Sequence, residues 1–182
     1  MDAQQRSLRA SKSTFAYKIN RQRKEGVKGC ARGSCEVIIK FTKGAKSRAG
    51  IREAIKYISR EYKLELVDSD GITFKSKEDI DDIIHLIQMS ADLPIELTKS
   101  LMLCPPRIAG ISREDALESV RKTLTSMYPN NIFVMAYHKD TDNDHVHVVM
   151  NMDSNEGKRL KIKGKDYKEM RSKFAEHLIE YG

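Results

Sequence analysis

The sequence predicts an α+β domain with a central, mainly antiparallel β-sheet flanked by helices. Three observations predict it. Short β-branched runs and amphipathic stretches follow one another in mixed order, not in strict alternation, and no internal repeat is present. Two apolar runs, "NIFVMAYH" (131–138) and "HVHVVMNM" (145–152), are separated only by the polar turn "KDTDND", the pattern of an antiparallel hairpin. Twice, at Ser76/Asp79 and Ser112/Asp115, serine precedes aspartate by three residues just ahead of an amphipathic stretch, as in a helix-starting capping box.

Taken in order, "CEVIIKF" (35–41) reads as the first core strand, short and β-branched. "SRAGIREAIKYISREY" (47–62) reads as a helix with Ile51, Ala54, Ile55, Ile58 and Tyr62 on one stripe. "LELVDSDGITFKS" gives two short strands about an Asp70-Gly71 turn. The helix "KEDIDDIIHLIQMSA" follows Ser76, and "IELTKSLML" (95–103) is a strand ended by Pro105 and Pro106, which cannot continue a central ladder. A helix from Ser112 to about Met127, the hairpin, a short strand near 159–162 and a last helix from about 164 complete the order. That helix carries Tyr167, Met170, Phe174, Leu178 and Ile179 on one face. The chain stops at "EYG", with Gly182 placed to cap the helix, as expected of a domain cut from a longer protein.

With 182 residues the chain suffices for one core of ordinary size. Its 40% hydrophobic content argues against disorder despite 32% charged residues. No window approaches the roughly 20 apolar residues of a membrane span. The N-terminus lacks an apolar signal core, so a soluble cytoplasmic protein is expected. Cys30, Cys35 and Cys104 form no CxxC pair and are read as reduced thiols. The net charge of +7 falls entirely within residues 1–35, which include Arg21, Arg23 and Lys24. We therefore separate a basic arm, 1–34, from a folded domain, 35–182. A second basic cluster, with Lys158, Arg159, Lys161, Lys163 and Lys165, follows the histidine segment. Two such clusters suit a polyanion, most commonly nucleic acid; composition alone supports a solvated arm and helix face equally well.

Three of the five histidines lie between 138 and 147. Because side chains alternate along a strand, His145, His147 and Asn151 point one way and Val146, Val148 and Met150 the other. The apolar side is expected to be the core face and the histidines to look into a cleft. His138 ends the neighbouring strand of the hairpin, so three imidazoles converge and can hold one divalent metal with positions left open. Asp140 is placed to orient or deprotonate a neighbour. A lone histidine here would be an exposed strand residue, a reading that fits three poorly. No cysteine accompanies them, against a structural zinc site.

A metal site beside basic clusters points to phosphodiester chemistry, with water or a side chain as attacker. Helical position sorts the tyrosines: at about 100° per residue, Tyr62 lies within the buried stripe and Tyr57 about 110° from its centre. Tyr57 is thus free to face a ligand, although helical position alone favours an ordinary surface tyrosine.

These residues resemble a family. "HKDTDNDHVHVVMN" (138–151) resembles the third motif of conjugative relaxases of the HUH superfamily, in particular the P-type plasmid mobilisation proteins. "IREAIKYISRE" (51–61) is similar to their first motif, with its tyrosine nucleophile, and "YKEMRSKFAEHLIEYG" (167–182) to the helix that closes their catalytic domain. The resemblance, over 35–182, implies nicking and rejoining of one strand at a transfer origin, with a 5′-phosphotyrosine intermediate. It implies Tyr57 as nucleophile, His138, His145 and His147 as metal ligands, Asp140 in support or as base, and Asn151 as a supporting polar group. It further implies a divalent metal ion, magnesium or manganese, with single-stranded DNA, accessory relaxosome proteins and a coupling protein as partners. One departure is "LMLCPP", where Cys104 stands in place of the family's usual serine. The alternatives are a rolling-circle replication initiator or transposase of the same superfamily, a non-catalytic basic DNA-binding module, and a three-histidine hydrolase that uses water.

Overall fold

The computed structural model describes residues 37–88, 96–106, 111–139 and 143–181. Six strands form one sheet: β1 (Ile38–Thr42), β2 (Leu66–Asp68), β3 (Thr73–Phe74), β4 (Thr98–Cys104), β5 (Phe133–His138) and β6 (His145–Asn151). Their spatial order is β1-β4-β6-β5-β2-β3, and every neighbouring pair is antiparallel. Four helices among the described residues flank it: α1 (Arg48–Ile58), α2 (Lys77–Gln88), α3 (Arg113–Met127) and α4 (Gly164–Tyr181). The architecture is the α+β sheet with flanking helices that the sequence predicts. No described helix is long and apolar enough to cross a membrane.

The sheet is covered on both faces. Val146, Val148 and Met150 of β6 pack with Leu101, Leu103, Phe133 and Met135 beneath α3 and α4, whose Val120, Leu124, Met170, Phe174 and Leu178 complete the first core. On the other face Val134, Ala136 and Val149 pack under Ile51, Ile55 and Ile58 of α1 and Ile80, Ile84 and Ile87 of α2. This corrects the expectation that only the Val146–Met150 side is core. The histidine-bearing side is a second core along much of its length, because Val149 and Val134 share it with the histidines.

Local signals set the helix starts. Ser47 caps α1, its Oγ accepting the Gly50 N–H. Ser76 and Asp79 exchange side-chain-to-backbone hydrogen bonds ahead of α2, and Ser112 and Asp115 form a full capping box for α3. Two boundaries differ from expectation. The stretch 159–162 is not a strand; it contributes only an isolated bridge between Asp153 and Arg159, because Leu160 and Ile162 pack on the first core as loop residues. Residues 89–95, 107–110, the 1–34 arm with Cys30, and Cys35 lie outside the described residues, whereas Cys104 is a buried free thiol.

The second difference concerns α1, which ends at Ile58 and not at Tyr62. Ser59 Oγ donates to the Lys56 carbonyl and accepts the Tyr62 N–H, drawing the chain away from the helix axis. Arg60, Glu61 and Tyr62 then follow in the left-handed region with φ of 51°, 56° and 66°. The turn is closed by Leu64 N–H donating to the Ser59 carbonyl at 2.8 Å. Tyr62 is still half-buried, but from a turn, with its hydroxyl donating to Asp81 at 3.4 Å.

Each non-glycine residue in that region costs roughly 1–2 kcal/mol, and glycine returns about 0.5–1 kcal/mol of that as backbone entropy. Glu61, exposed at the turn's centre, should therefore gain about 0.5–1 kcal/mol of stability as Glu61→Gly. A urea titration that shows the Gly variant no more stable than Glu61→Ala would contradict this.

Candidate active site

The hairpin register creates the site. His138 lies directly across from His145, and His147 across from Ala136, so all three imidazoles occupy one face at one end of the β5–β6 pair. Ring centroids are 5.2 Å apart for His138–His145, 4.5 Å for His138–His147 and 4.8 Å for His145–His147. His138 and His145 are buried and His147 half-buried. Their ligand nitrogens all lie within 4.8 Å of one another.

Two backbone carbonyls dictate which nitrogens those are. His138 Nε2 lies 2.7 Å from the Ile58 carbonyl, and His145 Nδ1 lies 2.9 Å from the Asn143 carbonyl. A carbonyl only accepts, so each of these nitrogens carries the proton. The lone pairs are left on His138 Nδ1 and His145 Nε2. Orientation of a ligating imidazole through its other N–H is the usual outer support of a metal site. The triad thus presents three neighbouring imidazole nitrogens that could hold one divalent ion.

Tyr57 stands over this cluster. Its ring meets His147 edge-on at 5.5 Å between centroids, while the Arg60 guanidinium sits 5.2 Å from the Tyr57 ring centre. Tyr57 is 56% exposed, the most accessible large apolar side chain of the described residues together with Ile72. Tyr137 precedes His138 yet points to the opposite face; burial, then its hydrogen bond to Asp144 at 2.7 Å, push its phenol well above the ordinary range. Tyr167 donates to the Ile39 carbonyl beneath the other face.

Of the other expected site residues, Asp140, Arg21, Arg23 and Lys24 lie outside the described residues. Asn151 is not brought to the triad. It ends β6 four residues beyond His147, about 13 Å along the strand, where its Oδ1 accepts the Asp153 N–H and its carbonyl accepts from Asn131. Lys158 is paired with Glu156, and Arg159 with Asp153 and the Glu96 carbonyl at that same distant end. Lys161, Lys163 and Lys165 are exposed. Two participants escape a reading of the sequence: the Ile58 carbonyl, which any residue would supply, and Arg60, which meets Tyr57 only because the helix has ended.

A family model described as relaxase, MobA/VirD2-like, nuclease domain, matches residues 57–182. No curated protein and no solved structure matches the chain.

The triad makes a prediction of its own. His145→Ala, which removes one lone pair without touching the Ile58 contact, should weaken manganese binding at least about tenfold. Titration calorimetry with manganese chloride checks it, and an affinity equal to that of the unaltered protein would dismiss the metal role.

Proposed function

The chain belongs to the MobA/VirD2-like relaxase nuclease family, and from that premise we propose that it nicks and rejoins one DNA strand at a plasmid or mobile-element transfer origin through a tyrosine-linked intermediate. The observation that carries the reading is the edge-on approach of Tyr57 to His147 at 5.5 Å, in a cluster otherwise made only of imidazoles.

In this reading the Tyr57 hydroxyl oxygen attacks the phosphorus of one phosphodiester. The tyrosyl O–P bond forms as the P–O3′ bond breaks, the phenolic proton passes to a base, and the departing O3′ takes up a proton. The products are a 5′-phosphotyrosine and a free 3′-hydroxyl. Because one phosphoester replaces another, attack by a 3′-hydroxyl reverses the step and reseals the strand. Asp140 is assigned as the base or its support. His138, through Nδ1, His145, through Nε2, and His147 would hold the ion, for which the family's habit points to magnesium or manganese. When bound, a divalent cation polarises the phosphate and offsets the charge that develops on it. An all-nitrogen set binds later transition metals more tightly, so availability decides which ion occupies it. Arg60 places a fixed positive charge beside the ring whose oxygen loses its proton.

The substrate in this proposal is single-stranded DNA at the origin. Arg21, Arg23 and Lys24 of the basic arm, and Lys161, Lys163 and Lys165 after the hairpin, supply backbone contacts. Accessory relaxosome proteins and a coupling protein are the expected partners in a bacterial cytoplasm.

The decisive experiment is a denaturing gel of protein, manganese or magnesium, and single-stranded DNA from the origin of the chain's own element. A slow-migrating protein–DNA adduct should form and vanish with Tyr57→Phe, whose DNA affinity stays within about twofold because one hydroxyl and little surface are lost. An adduct of normal yield from Tyr57→Phe would reassign the nucleophile; cleavage without any adduct would make water the attacker. Deletion of residues 1–34 should lower DNA affinity and flatten its salt dependence, and an unchanged slope would remove the arm from the interface.

A further inference from the structure

His145 faces the triad, yet the residue before it is held from the opposite face of the sheet. Tyr137 pairs with Val146 across the hairpin, and its ring packs against the first core. Asp144 lies two residues before Val146, so alternation puts its side chain on the Tyr137 face, in the diagonal position that a long aromatic side chain reaches across a ladder. There the Tyr137 hydroxyl donates to Asp144 Oδ2 at 2.7 Å. That length is typical of a charge-assisted bond, which is stronger than one between neutral groups. A phenylalanine would fill the same place in the core, so packing alone does not call for the hydroxyl.

The ladder of β5 and β6 ends at the His138–His145 pair, and Asn143 and Asp144 stand just beyond it. Yet Asn143 supplies the carbonyl that accepts the His145 Nδ1–H, at 2.9 Å. This carbonyl belongs to the peptide plane that continues to the Asp144 nitrogen, and a peptide plane turns as a unit. A bond that pins Asp144 therefore also limits the tilt of the carbonyl. The contacts run from the Tyr137 hydroxyl to the Asp144 carboxylate, and from the Asn143 carbonyl to His145 Nδ1. They cross from the core beneath α3 and α4 to the triad on the other face.

We propose that Tyr137 is a positioning residue for His145: its bond to Asp144 keeps the Asn143 carbonyl where it fixes the imidazole as the Nδ1–H tautomer and leaves Nε2 as the ligand atom. The inference deepens the proposed function and rests on it for the ion that the triad would hold. Tyr137 itself touches neither substrate nor ion. Without its hydroxyl the imidazole is still present, but the carbonyl can tilt away, and the ring can exchange tautomers and offer the wrong nitrogen.

The test uses the full chain and Tyr137→Phe, which loses one oxygen and keeps the ring. Nitrogen-correlated NMR spectra of the imidazoles, taken without metal in mildly alkaline buffer, report which ring nitrogen of His145 carries the proton; titration calorimetry with manganese chloride reports affinity. The unaltered protein should show His145 as the single Nδ1–H tautomer and Tyr137→Phe a mixture. Manganese affinity should fall about tenfold, the lower end of what groups that orient a metal-bound imidazole cost. Tyr167→Phe is the control. It deletes a hydroxyl bond to the Ile39 carbonyl on β1, which β4 separates from β6, and should change neither readout. Asp144→Ala should reproduce Tyr137→Phe, and gives the same reading should that variant not fold. The double variant should be no worse than either alone, since both remove one bond, and Asp144→Asn, which keeps an acceptor oxygen, should recover most of the affinity. Mixed tautomers already in the unaltered protein, an unchanged His145 in Tyr137→Phe, additive losses in the double variant, or an equal loss from Tyr167→Phe would overturn the positioning role. The outcomes separate the two proposals. Manganese bound equally well with and without the Tyr137 hydroxyl keeps the metal reading and overturns the positioning, whereas no manganese bound by either protein, with a tautomer change in Tyr137→Phe, keeps the positioning and overturns the metal reading.

Discussion

The 2.7 Å hydrogen bond from His138 Nε2 to the Ile58 carbonyl joins the two halves of the site. Its donor is on the sheet; its acceptor is the residue after Tyr57, at the end of α1. The carbonyls of a helix's last turn have no partner within the helix, and one left buried and bare costs about 1–3 kcal/mol. His138 satisfies one of them. In the same contact the imidazole is fixed as the tautomer that presents Nδ1 to its neighbours. One bond therefore satisfies the helix end, orients one ring of the triad and ties the residue after Tyr57 to it.

That contact holds because both helix and sheet are anchored by apolar burial. Ile51, Ile55 and Ile58 are 0%, 0% and 2% exposed against Val134, Ala136 and Val149, so α1 has little freedom to slide along β5 and β6. The first core beneath α3 and α4 stiffens the same strands from the other side. A sheet with both faces covered keeps a fixed register, and a slip of β6 by one residue would turn His145 and His147 toward the first core. The imidazoles sit at the strand ends where the second core gives out, which lets buried ring nitrogens face one another while Tyr57 remains open to a substrate.

Much of this was legible in the sequence because it depends on period and spacing. The alternation in "HVHVV" fixed which side chains share a face, the loop length fixed that His138 meets His145, and the two serine–aspartate pairs marked the starts of α2 and α3. The position of Tyr57 off the apolar stripe foretold its exposure. What stayed hidden depends on non-periodic structure. The turn at 60–62 has no glycine or asparagine to announce a left-handed backbone, so the apolar stripe ran on to Tyr62 and the helix was drawn four residues too long. Leu160 and Ile162 alternate as a strand would, yet they only close a loop onto the core. Asn151 shares the histidines' face but not their end of the strand, a distinction that alternation cannot make.

Tyrosine is a common residue, and what distinguishes Tyr57 is geometry. Tyr137 is covalently closer to the triad, adjacent to His138, yet strand alternation turns it to the far face, where burial and Asp144 hold its proton. Tyr62 shares the α1 end but directs its hydroxyl to Asp81. Tyr57 alone of these is exposed while its ring is met on two sides, by His147 in an edge contact and by the Arg60 guanidinium over its face. In the proposed nicking role Tyr57 has to be reachable, which its exposure provides, and also immobile, since a misplacement of about 1 Å can cost about 100-fold in rate. Exposed helix ends ordinarily fray. Here the left-handed turn opposes fraying by bringing Arg60 back over the ring, and its conformational cost of roughly 1–2 kcal/mol per residue is offset by the buried histidine bond on one side and the Ser59 hydrogen bonds on the other. Strain, cation and histidine bond thus all fall within residues 58–62, which is why Tyr57 can be both open and fixed.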